Sequence, residues 1–174
     1  MSNWNDFNDA EAICEAVQRP NMRFVSEKPI ANQDNQTAHR IRLRLIRSRT
    51  ALSNEVRGLL AEYGVVVPIG IEKLKKLLPE ILADESNELT SFTREMISEI
   101  YTELCDLEMR LESFTNKIGR IFKTNEVCQR IGKIDGVGPL TATAIVAAVP
   151  DPNVFKNGRH MSAWLGLVPR QYSS

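Results

Sequence analysis

The sequence predicts an all-α protein: a long helical hairpin or coiled coil followed by a small helix-hairpin-helix-like domain. Three observations predict it. Apolar residues recur at helical spacing through most of the 174 residues. Strand signals are nearly absent, since Met22 to Val25 and Val65 to Val67 look extended but have no partner of similar strength. The composition, 43% hydrophobic and 25% charged, is that of a core-bearing globular chain. Its length suits one ordinary domain or two small ones.

The elements follow in order. Asp9 to Val17 reads as a short helix stopped by Pro20, and Ser26 to Asn32, with Pro29, as a linker. A long helix is expected from about Gln33 to Tyr63, with Ile41, Leu45, Leu52, Val56, Leu59 and Tyr63 on one stripe and Gly64 closing it. Ile71 to Leu82 is a third helical piece, in which Pro79 predicts a kink or break. From Ile97 the apolar positions are Ile97, Ile100, Leu104, Leu107, Leu111, Phe114, Ile118 and Ile121. Steps of three and four alternate without a fault, the seam of a coiled coil. Its partner is either the 33–63 helix folded back antiparallel or the same helix of a second subunit. A helix rich in small residues begins at Pro139, Asp151 to Lys156 is a turn, and Arg159 to Leu167 is a last short helix. The domain expectation is residues 1–25, 33–124 and 126–174.

Charge is balanced overall, 22 basic against 22 acidic side chains, but it is arranged in blocks. Arg40 to Leu60 holds six arginines and one glutamate, whereas Glu80 to Glu112 holds ten acids and two arginines. Basic faces of this kind attract phosphate backbones. Cys14, Cys105 and Cys128 are far apart and in no metal-binding spacing, which suggests a reducing compartment. With no run of 18 apolar residues and no charged-then-apolar leader, a membrane association is not expected and the cytoplasm is the expected location.

The strongest local signal is Gly136-Val137-Gly138 ahead of a helix. Two glycines allow a tight turn, and the unpaired first N–H groups of the helix form an anion site suited to a phosphate. Thr141 lies in its first turn. A plain glycine turn between packed helices is the alternative. Arg40, Arg44 and Arg47 lie close together on the long helix and would add phosphate contacts, or else form a solvated face. Asp6 and Asp9 stand one turn apart and could share a divalent ion, although helix capping is the ordinary explanation of Asn and Asp at such places.

Read together, these pieces resemble the insertion-sequence "one-ten" transposase group, which includes the Piv site-specific DNA invertases. Asn5 to Ala12 is similar to the end of that group's RuvC-like domain. Gly136 to Val149 and Ala163 to Ser174 are similar to the core of its C-terminal transposase domain. The resemblance implies DNA transposition by a four-acid, magnesium-type site and a serine nucleophile, with a structured guide RNA in some members. It implies that Asp6 and Asp9 are the last two of the four acids and that Ser174, or Ser173 if the register slips by one, is the nucleophile. Arg170, beside that serine, joins the nucleic-acid-binding set. It also implies a chain truncated at both ends, which binds DNA, holds no metal of its own and is catalytically incomplete alone. The alternatives are a subunit completed by another polypeptide, or a coiled-coil interaction protein that does not bind DNA. A homo-oligomer through the coiled coil is a further expectation.

Overall fold

The computed structural model describes residues 6–20, 27–149 and 151–166. It is all-α, with no strand among the described residues. The helices are α1 (Asp6–Gln18), α2 (Ile30–Glu62), α3 (Ile71–Ala83), α4 (Ser91–Thr124), α5 (Glu126–Ile131), α6 (Pro139–Ala148) and α7 (Gly158–Trp164), with a 3-10 turn at Pro152–Val154 before the last. No helix among the described residues is long and apolar enough to cross a membrane.

The seam on α4 is used inside the chain. Tyr63 of α2's end meets Thr93 of α4 through their hydroxyls at 2.9 Å, Arg49 meets Glu108 at 3.2 Å, and Arg42 meets Thr115 at 3.0 Å. Going up one helix means going down the other, so α2 and α4 form an antiparallel hairpin. Of the two partners that the heptads leave open, the helix of the same chain is the one seen on the seam. Leu104, Leu107, Leu111 and Ile118 are buried along the seam, and Val56, Leu60, Leu74, Leu78 and Ile97 complete a core in which α3 is the third member. Each of these side chains contributes roughly 1.5–3 kcal/mol by leaving water.

Helix ends are set by local chemistry. Val65 N–H donates to Leu60 and Gly64 N–H to Ala61, the paired bonds that close α2 where the glycine predicts. Thr90 accepts from Thr93 N–H to start α4, and Asn125 accepts from Cys128 N–H to start α5.

Some boundaries differ from expectation. α2 starts at Ile30, because Pro29 stands in the N-cap position and its carbonyl accepts from Asn32 and Gln33. The expected linker is shorter by that amount. Pro79 does not break the helix: α3 runs through it to Ala83. Pro79 is exposed, so the hydrogen bond it removes is lost on the side open to water. Val65 to Val67 is a connection and not a strand, and Met22 to Val25 lies outside the described residues.

Candidate nucleic-acid interface

Residues 132–138 link α5 to α6 in a tight hairpin. Val137 N–H donates to Ile134, and Gly136 between them takes φ +82°, a conformation that a side chain disfavours. Gly138 is different. It is the N-cap of α6 in an ordinary extended conformation, φ −83° and ψ 176°, and no side chain caps the helix there. A Cβ added at Gly138 would meet nothing within 4 Å. Neither backbone geometry nor internal packing therefore requires glycine at 138. Its surface is open, and the helix start beside it carries the partial positive charge of unpaired N–H groups. Thr141 is exposed one turn in, and Val137 is half-buried.

α6 is fastened to α2 by side chains that sequence reasoning did not single out. Asn32 and Gln36 donate to the carbonyls of Val146 and Ala147 at 3.2 and 3.1 Å, at the end of α6 where helical partners run out. Asn35 donates to the Thr143 carbonyl at 2.8 Å, and His39 Nε2 lies 3.0 Å from the Thr143 hydroxyl. These rungs make α6 antiparallel to α2. At 1.5 Å per residue, the start of α6 lies about 6 Å beyond Thr143 along α2, about level with residues 40–44. No short-range pattern reveals this, since the partners are more than 100 positions apart.

The five arginines between 40 and 49 separate into two groups. Arg42 donates to Thr115, and Arg49 pairs with Glu108, which also holds Lys75. Burial alone would raise the Glu108 carboxyl, but the hydrogen bonds and charges of Lys75 and Arg49 outweigh it and hold the group below the usual range. Arg40, Arg44 and Arg47 are exposed. They fall within about 60° of arc on α2, at 100° per residue. That stripe flanks the level at which α6 begins. The His39 imidazole is pushed down by burial and then by Arg42.

Of the expected catalytic residues, Asp6 and Asp9 fall among the described residues. Asp6 opens α1, and Asp9 is exposed on it. Among the described residues no group of three or more His, Cys, Asp or Glu side chains could hold a metal ion. Two carboxylates on one helix turn do not by themselves fit the magnesium site that the resemblance implies. Arg170, Ser173 and Ser174 lie outside the described residues.

Comparison with known proteins supplies the remaining observation. The sequence model described as the transposase IS116/IS110/IS902 family matches residues 128–174, a stretch that includes the hairpin and α6. The chain belongs to this transposase family. It is 46% identical over 173 residues to the transposase of insertion sequence element IS1111A from Coxiella burnetii, covering 99% of this chain and 48% of the relative. It is 42% identical to a probable family 20 transposase of Pseudomonas aeruginosa, covering 98% of this chain and 51% of the relative. The transposase of element IS1328 from Yersinia enterocolitica is 34% identical, with 99% and 51% covered. The chain thus spans about half the length of the curated relatives it matches. No solved structure matches.

Proposed function

We propose that this chain supplies the DNA-engaging part of an insertion-sequence transposase, gripping the phosphate backbone with little regard to base sequence. One observation carries the reading. By the Asn35 and His39 rungs, the uncapped, open start of α6 at Gly138 lies about level with Arg40 and Arg44 of the exposed stripe, in a chain whose relatives are named transposases. Backbone N–H groups of Gly136 and Gly138, on either side of the Val137 N–H that Ile134 holds, and the Thr141 hydroxyl approach one phosphate, as a helix-hairpin-helix element does. The arginines, with Arg170 from beyond the described residues, neutralise its neighbours. The same basic surface accepts a structured guide RNA, because phosphates present the same charge in both.

In this reading Asp6 and Asp9 belong to a divalent-ion site, and Ser174, or Ser173, is the nucleophile for strand exchange. The two acids alone are too few for that chemistry, so this stretch binds DNA without cutting it. Cleavage then depends on carboxylates contributed from elsewhere, in the same or another polypeptide.

The test is Gly138→Val, measured by binding to duplex and branched DNA. The new side chain enters open space on extended backbone, so the fold persists. Binding is expected to weaken by about 1–3 kcal/mol, the scale of losing charge-assisted hydrogen bonds. A folded Gly138→Val chain that binds as well as the wild type would make the hairpin a packing turn, leaving the arginines as the sole contact.

A further inference from the structure

We propose that Asn35, with His39 as a second rung, sets the height of α6 on α2 and so positions the α6 start beside Arg40 and Arg44. The inference rests on the DNA-binding reading above and assigns to that surface two positioning residues that do not themselves touch the nucleic acid.

Asn35 is 3% exposed, and its Oδ1 has no hydrogen-bond partner. Its Nδ2 donates to the Thr143 carbonyl, which already lies one turn before Ala147 inside α6 and has a helical donor there. The asparagine thus rescues no orphaned group and leaves one of its own atoms unsatisfied, a net cost in a buried place. A leucine has the same branching without the polar atoms and would serve stability at least as well. What the amide adds is direction. A hydrogen bond to one carbonyl is made at one height, whereas apolar contact is satisfied equally well a step higher or lower.

α6 needs that direction from outside. Its sequence, Pro-Leu-Thr-Ala-Thr-Ala-Ile-Val-Ala-Ala, is apolar nearly all round, so hydrophobicity singles out neither a rotation nor a height. Of its two threonines, Thr141 is exposed and Thr143 is fully buried, facing α2. Its hydroxyl lies 2.7 Å from the Pro139 carbonyl and 3.0 Å from His39 Nε2. Donating to Pro139 leaves the hydroxyl oxygen free to accept from the imidazole N–H. The rung at His39 is therefore tied directly to the first residue of α6, the end that lies about level with Arg40 and Arg44 along α2.

The experiment compares Asn35→Leu and His39→Leu with the wild-type chain, reading melting temperature and affinity for a random-sequence duplex at several salt concentrations. Asn35→Leu is expected to melt at the wild-type temperature or above, while its affinity falls about tenfold. Adding Arg44→Ala to Asn35→Leu should then cost less affinity than Arg44→Ala costs the wild type, because the two contacts no longer engage together. His39→Leu should show the same pattern and decides the matter if Asn35→Leu does not fold. Wild-type affinity in folded Asn35→Leu overturns the proposal, as does affinity that falls only in proportion to melting temperature. A wild-type chain without salt-dependent binding overturns the DNA-binding reading as well. Normal wild-type binding with an indifferent Asn35→Leu overturns the register proposal alone.

Discussion

His39 of α2 and Thr143 of α6, 104 positions apart, meet with the ring Nε2 3.0 Å from the hydroxyl oxygen. This contact joins the arginine helix to the helix that follows the glycine hairpin, and it involves a group that titrates near neutrality.

Burial, helped by the charge of Arg42, lowers the His39 pKa below 6.5. The folded chain therefore binds fewer protons than the unfolded chain in the window just below that value. The contribution is fully present above pH 6.5 and is lost as pH falls through the lower folded value. Melting temperature should drop between pH 7.5 and 5.5 by more in the wild type than in His39→Gln. An equal drop in both would mean that the contact does not carry the pH dependence.

Glu108 sits between Arg49 and Lys75, all three less than a third exposed. Glu108→Ala leaves two cations facing one another without their anion. A loss of about 1–2 kcal/mol is expected, between the exposed and buried cases. Denaturant titration measures it, and a loss below a few tenths of a kcal/mol would place the triad with surface pairs that contribute nothing.

Leu104 is fully buried where α4 meets α2 and α3. Leu104→Ala should cost about 2–5 kcal/mol, the range for emptying a packed core position. Met109, 63% exposed on the same helix, is the control, and Met109→Ala should change stability by less than about 0.5 kcal/mol.

Asp9 is exposed on α1, in the chain's amino-terminal stretch. Asp9→Ala should shift the melting temperature only slightly, and magnesium should stabilise wild type and variant alike. A magnesium-dependent rise in melting temperature that vanishes in Asp9→Ala would show that the two carboxylates suffice for a site.

Much of this fold is written in local pattern. The alternating three-and-four spacing from Ile97 to Ile121 marks the face of α4 that α2 covers, and Gly64 and Pro139 mark helix ends where they occur. Pro79 does not bring a break, because the cost of an internal proline depends on which side of the helix it occupies, and sequence does not give that side in advance. The hairpin glycines are equally visible, but their two reasons are not: Gly136 is held by its dihedral angle, while Gly138 is held by nothing inside the chain. The polar rungs from Asn32, Asn35, Gln36 and His39 were invisible, since ordinary helix-surface residues acquire their meaning only when α6 arrives. The same distance effect divides the arginines, sending Arg42 and Arg49 to partners on α4 and leaving Arg40, Arg44 and Arg47 in solvent.

The central claim is that the α6 start and the arginine stripe engage a phosphate backbone together. Its most direct test is the salt dependence of binding to two duplexes of unrelated sequence. The account predicts equal affinities for the two duplexes. It predicts a linear fall of log K with log salt, at about 0.9 per phosphate contacted, and a slope reduced by about one contact in Arg44→Ala. Binding that discriminates strongly between the duplexes, is indifferent to salt, or is absent from the folded chain would contradict it.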